Sequence, residues 1–204
     1  MTETEEKNLL IDEDTFLTCG VHIGTKQKSK DMQPYVYKVR DDGLRILNVN
    51  LTSEKISEAA TFLKEYDPKD VLVVSARQYG WKPAKKFADA CGFVCIAGRF
   101  TPGRLTNPEM RFFIETKVIV LTDPAADAQA FREAVNIDIP VIAMCDSNNL
   151  TTDIDIIVPG NNKGRRSLAL IYWLMAREIL RMKGELPADG ELNETIDDYE
   201  APLI

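Results

Sequence analysis

From residue 71 onward the chain repeats short runs rich in Val, Ile and Leu, at 71–75, 93–97, 118–122, 141–145 and 156–158. The apolar residues in these runs are consecutive rather than alternating. That is the pattern of a strand buried on both faces, as in a parallel sheet covered by helices. The intervening stretches have helical spacing: 81–91 with Pro83 in its first turn, the neighbourhood of 108–115, 125–135, and a long segment 163–183 closed by Gly184. Upstream, 52–66 predicts a helix capped by Thr52 or Ser53, with Ile56, Ala59, Ala60 and Leu63 on one face. Runs at 35–39 and 44–49 flank Asp42-Gly43 and predict a hairpin. Residues 12–19 predict a short helix ending at Gly20, and 21–34 a loop. Strands alternating with helices give an α/β class: a doubly wound parallel sheet of five strands in the order 2-1-3-4-5, a small N-terminal hairpin and a long C-terminal helix.

The hydrophobic share of 45% is ample for one core. The longest apolar run, residues 168–176, is about half of what a membrane span needs. The start of the chain is acidic, unlike a secretory signal. A soluble cytoplasmic protein is therefore expected. Cys19, Cys91, Cys95 and Cys145 contain no CxxC pair and read as core thiols, with no metal site.

Charge changes the picture. The net charge of −7 is unevenly divided. Residues 1–14 hold six acids and one base, and 185–204 hold seven acids and no base. The intervening 15–184 carry twenty-four bases against nineteen acids, a net of +5. The expected organisation is an acidic N-terminal tail (1–14), a single basic α/β domain (15–184) and an acidic C-terminal tail (185–204), in which Leu192, Ile196 and Tyr199 could dock on a neighbour.

Doubly wound sheets bind ligands beyond the carboxyl ends of their strands. The first turn there, residues 75–80, has neither a GxGxxG nor a P-loop pattern. Asp123 and Asp146 each follow a strand and read either as a carboxylate pair or as caps of turns. His22, the lone histidine, either fixes its loop or contacts RNA. Residues 159–166 join a strand to the last helix with Lys163, Arg165 and Arg166, giving either an anion site at the helix N-terminus or a tight Asn-capped turn. Further bases gather in or beside loops: Lys26, Lys28 and Lys30; Lys38, Arg40 and Arg45; Arg77, Lys82, Lys85 and Lys86; Arg99, Arg104 and Arg111. Such recurrence on a basic body fits a surface that follows phosphates. Arg177 and Arg181, in the last helix, either extend it or complement the helix dipole.

Several strings, in order over residues 15–184, resemble the ribosomal protein S2 family: GVHIG from Gly20, IAGRFTPG from Ile96 with LTN from Leu105, LTDP from Leu121, NIDIPVIA from Asn136, IVPGNNKG from Ile157 and AREILRMKG from Ala176. The resemblance implies a flavodoxin-like, three-layer α/β/α domain on the solvent side of the small ribosomal subunit. Such a domain binds small-subunit rRNA, touches neighbouring ribosomal proteins and has no catalytic residue. Bacterial members insert a helical hairpin for which residues 107–117 leave no room, and tend to carry a second histidine where Thr25 stands. GRFTPG and NNKG resemble the archaeal and eukaryotic branch. The sequence stops at Ile204, short of the extension of animal members, whose laminin binding is not carried over.

The expected function is therefore that of a cytoplasmic, structural small-subunit ribosomal protein in assembly and translation, without cofactor, metal, membrane or small-molecule substrate. His22, Lys26, Lys28, Lys30, Arg77, Lys82, Arg99, Arg104, Lys163, Arg165 and Arg166 are its candidate RNA-binding residues. The alternative is an α/β enzyme binding a sugar phosphate or nucleotide at the 160–166 turn.

Overall fold

A computed structural model describes residues 9–203. Residues 1–8 of the expected N-terminal tail lie outside the described residues. The chain opens with helix α1 (Glu13–Cys19), closed by Gly20 in the left-handed conformation at φ 71°. Strands β1 (Val36–Val39) and β2 (Arg45–Leu47) form the antiparallel hairpin over Asp42-Gly43, with Gly43 at φ 84°. Helix α2 (Val49–Leu63) follows directly and starts one turn before the expected Thr52. Asn48 is its N-cap, accepting from the Asn50 N–H at 3.0 Å. Asn caps as well as Thr or Ser, and the two hydroxyls have tertiary partners instead. Thr52 Oγ1 donates to the Pro159 carbonyl at 2.7 Å, and Ser53 Oγ accepts from the Leu10 N–H at 2.9 Å.

The remainder is β3 (Val71–Ser75), α3 (Gln78–Cys91), β4 (Val94–Ala97), β5 (Val118–Leu121), α4 (Ala128–Asn136), β6 (Val141–Cys145), β7 (Ile156–Pro159), α5 (Arg165–Lys183) and a one-turn α6 (Ile196–Tyr199). The five main strands are parallel in the order β4-β3-β5-β6-β7, the expected 2-1-3-4-5.

Strand alternation divides the core. Val71, Val73, Val118, Val120, Ile142 and Met144 face α2, α3 and α5. Leu72, Val74, Ile119, Leu121, Ala143 and Cys145 face α4 and the loops. Helices thus dominate one side, and loops much of the other.

Three expectations give way. Helix α3 begins at Gln78, three residues before Trp81, so Pro83 lies in its interior. Helix α4 begins at Ala128 rather than residue 125, because Asp123 Oδ1 takes the Ala125 N–H at 2.9 Å and holds that stretch as a turn. No helix forms at 108–115. Residues 98–117 are instead a looped crossover, in which Ile114 N–H donates to the Arg104 carbonyl at 2.8 Å and Glu109 N–H to Asn107 Oδ1 at 3.1 Å. Local side-chain bonds of Asn compete in this way with helix formation.

The acidic segment 185–203 folds back along α3 and α5. Trp173 Nε1 donates to the Glu194 carbonyl at 2.7 Å, Thr195 and Asp198 form a capping box, and Tyr199 is fully buried. Leu192 and Ile196 pack on the same core. The apolar residues expected to meet a neighbour are thus engaged by the chain itself.

Candidate nucleic-acid interface

The turns leaving β3, β5, β6 and β7 meet at one rim, where a doubly wound fold would bind a ligand. Here the chain's own side chains fill it. Arg77, leaving β3, donates from Nε to Asp123 Oδ2 at 2.6 Å. Asp123 is 1% exposed and also takes the Asn149 side-chain amide at 2.9 Å. Asp146 accepts from the Ser147 N–H at 2.6 Å and from Lys163 Nζ at 2.5 Å. Asn149 Oδ1 accepts from the Asp146 N–H at 2.8 Å and the Asn162 side-chain amide at 3.0 Å, which ties β6 to the 159–164 turn. Both strand-end aspartates are thus bound into turns and ion pairs. Asp127 accepts from the N–H groups of Ala76 at 2.6 Å and Asp123 at 3.0 Å. Burial pushes its carboxyl up to about 7 against these donors, and the nearby Asp123 adds to the rise.

The loop after α1 crosses this rim. Thr25 N–H donates to Ser147 Oγ at 2.9 Å, Ser29 N–H to the Ser147 carbonyl at 2.9 Å, and Ser147 Oγ to the Gln27 carbonyl at 3.1 Å. Gly24 is required here, since a Cβ would stand 2.9 Å from the Arg45 carbonyl and 3.0 Å from Ser147 Oγ. Met32 anchors the far end of the loop in the core. Lys26, Lys28 and Lys30 project from this backbone, exposed and with no carboxylate partner among the described residues. His22, half-buried at the loop's start, has its pKa lowered by burial, offset in part by the nearby Phe16 backbone.

A second basic loop follows β4. Arg99 is exposed and without an intramolecular partner among the described residues, while the adjoining Phe100 and Leu105 are buried in the cluster that holds Met32. Glu133 of α4 fixes this loop, accepting from the N–H groups of Gly103 at 2.6 Å and Leu105 at 3.0 Å. Burial raises the Glu133 carboxyl, but Gln129 and these donors outweigh it and hold it below its usual value. Arg104 donates to the Phe112 carbonyl at 3.3 Å and lies over the Phe112 ring, which Arg111 also approaches. The strand order puts β4 three steps from β6, about 14 Å at ordinary strand spacing. The two loops therefore share one rim.

The remaining candidates are engaged within the molecule. Lys163 spans Asp146 and the Asn148 side chain. Arg165 meets Glu200 at 2.6 Å, and Arg166 meets Asp197 at 3.2 Å and Glu200 at 3.5 Å. Lys82 donates to the Glu200 carbonyl at 2.9 Å. The N–H groups of Lys163 and Gly164 both go to Asn161 Oδ1 at 3.0 Å, so the turn before α5 satisfies itself. Arg177, 2% exposed, is held by Glu178, Glu191 and the Leu10 carbonyl, and Arg181 by Glu178 and Glu191. The sequence reading missed Glu133 and this pairing of the acidic segment with α3 and α5. Seven acids opposite cations at the starts of two helices were a signal for the second. A mid-helix Glu gave none for the first.

Among the described residues, no helix is long and apolar enough to cross a membrane, and no group of three or more His, Cys, Asp or Glu is placed to hold a metal.

The ribosomal protein S2 family model matches residues 16–114 and 109–181. A protein of Thermoplasma volcanium named small ribosomal subunit protein uS2 is 53% identical over 198 residues, covering 97% of this chain and 100% of its own length. Relatives of the same name from Picrophilus torridus and Haloquadratum walsbyi are 50% and 52% identical, covering 97% and 98% of this chain and 99% and 70% of their own. With identities near half along almost the whole sequence, the chain belongs to the ribosomal protein S2 family, in its archaeal form.

Proposed function

We propose that the chain is a structural, rRNA-binding protein of the small ribosomal subunit, acting in its assembly and in translation in the cytoplasm, and not an enzyme. The observation that carries this reading is the near-full-length match to relatives named small ribosomal subunit proteins. The rim supplies a mechanism. Lys26, Lys28, Lys30 and Arg99 stand exposed on two loops braced by Ser147 and Glu133, and their charges are free to neutralise phosphates. His22 opens the first loop, its carbonyl accepting from the Leu47 N–H at 2.8 Å. Arg104 contributes through the guanidinium nitrogens that its bond to Phe112 leaves free. Arg77, Lys82, Lys163, Arg165 and Arg166 act chiefly by holding the rim in shape, because each already has an internal acceptor. Neighbouring ribosomal proteins complete the environment.

Gradient sedimentation of a native lysate tests the reading. The chain is expected to travel with the small subunit at low salt and to be partly stripped at high salt. A chain that stays at the top of the gradient at every salt concentration overturns it. Replacing Lys26, Lys28 and Lys30 with Ala should lower rRNA affinity and reduce the log–log salt slope by roughly 2 to 3, at a little under one per phosphate contact. An unchanged slope removes this loop from the footprint.

A sugar-phosphate or nucleotide enzyme at the 160–166 turn is disfavoured, because Asn161 and Glu200 already occupy the donors and cations an anion would use. A panel of such ligands should leave the melting temperature unmoved.

A further inference from the structure

A groove of about 450 Å³ separates the hairpin from α1 and the start of α2. Leu17, Tyr37, Ile46, Leu47 and Val49 supply its apolar lining. Leu47 and Val49 form its buried floor, but its walls are open: Tyr37 is 70% exposed and Leu17 43%, and the adjoining Val39 and Ile23 are 56% and 40% exposed. Isolated exposed apolar residues are ordinary, but two large ones lining a concavity, with two more beside them in sequence or pairing, mark a surface that something covers. Among the described residues strand β1 pairs with β2 alone, which leaves its other edge unpaired.

The charges identify the cover. Lys38 and Arg40 stand on the hairpin lip, and Glu13 of α1 on the opposite lip, next to Asp12 and Asp14. Arg40 has only a loose surface pair with Asp42 at 3.7 Å, and Lys38 has no carboxylate partner among the described residues. A polyphosphate would meet repulsion along α1 and would leave the aliphatic lining wet. An extended polypeptide meets every requirement. It can place an apolar side chain against Leu17 and Ile46, a carboxylate near Lys38 and Arg40, and its own backbone along the β1 edge.

We propose that this groove docks an extended segment of a neighbouring protein, carrying an apolar anchor and an acidic residue on the hairpin side. The proposal rests on the ribosomal reading and adds a protein-facing surface, which adjoins the basic rim at His22.

The test uses the full chain, assembled into small subunits, with the photoreactive residue p-benzoylphenylalanine in place of Tyr37, or of Lys28 as reference. After irradiation, Tyr37 should give an adduct that is sensitive to protease and resistant to ribonuclease, whereas Lys28 should give an RNA adduct. Adding Leu17→Ser should cut the Tyr37 adduct about tenfold, the loss expected for removing one anchor worth about 1.4 kcal/mol, and leave the Lys28 adduct unchanged. An RNA adduct at Tyr37, a link within the chain, or no adduct from a chain that has entered the subunit overturns the proposal while the ribosomal reading stands. A chain that never enters the subunit overturns both. If the Tyr37 variant alone fails to enter, the same probe at Leu17 decides.

Discussion

Asp127 receives N–H groups from Ala76 and Asp123 in a corner where burial still pushes its carboxyl up to about 7. The folded chain therefore keeps a proton that the unfolded chain has already released. The stabilisation this represents is complete below the ordinary Asp value of 3.8 and is lost as the pH rises through about 7. A shift of this size corresponds to about 4 kcal/mol between the two ends of the window. Denaturation of the wild type and of Asp127→Asn between pH 4 and 8 should show the wild type losing ground steadily against the variant. A constant difference would mean that Asp127 does not titrate there. Other single residues show how far local reading reaches. Asp123 and Asp146 were visible in the sequence as strand-end aspartates with two open roles. What settles them are Arg77, 46 positions from Asp123, and Lys163, 17 positions from Asp146. Sequence spacing says nothing about such pairings.

Elements were legible where one signal dominated. The Val/Ile runs fixed all five strands to within a residue at either end, and Gly20 and Gly184 marked two helix ends, because a left-handed cap favours glycine. Reading failed where two signals competed. Asn48 and Thr52 are both good caps, and only the contact with Pro159 shows that Thr52 has other work. The neighbourhood of 108–115 reads as helical, yet Glu109 N–H goes to Asn107 Oδ1 and Ile114 N–H to the Arg104 carbonyl. Upstream, the N–H groups of Gly103 and Leu105 go to Glu133 of another element. That carboxylate governs the shape of the loop. Glu133→Ala leaves the Gly103 and Leu105 N–H groups without their acceptor, at a cost of about 2 to 4 kcal/mol. Amide exchange at Gly103 and Leu105 should accelerate, and rRNA affinity should fall as Arg99 loses its platform. Unchanged exchange would show that the loop is held by Phe100 and Leu105 alone.

At the scale of the whole molecule, summing charge along the sequence separated a basic middle from acidic ends but could not show where the ends lie. The C-terminal acids lie on α3 and α5, so Lys86, Arg165, Arg166, Arg177 and Arg181 are neutralised from within. Ending the chain after Gly184 removes Tyr199 from its buried site and strips Arg177 of Glu191, leaving it Glu178 and the Leu10 carbonyl. A stability loss of at least about 3 kcal/mol is expected. The surviving fold should also bind unrelated RNA more tightly, with a steeper salt slope, because the released cations become available to phosphates. Equal slopes for the long and short chains would show that these ion pairs do not limit where RNA binds.

The division of the core by the sheet acts before any contact is made. The loops bearing Lys26, Lys28, Lys30 and Arg99 are rooted in the cluster beside α4, and the acidic segment in the cluster beside α3 and α5. Unpaired positive charge on the rim is thereby held apart from the acidic segment, much of whose charge is paired with cations of α3 and α5. In the field of a polyanion such a body experiences a torque, and it turns its basic side forward while still diffusing. The arrangement bears on how quickly the protein finds its place as well as on how firmly it stays, so added salt should slow arrival more than it hastens departure.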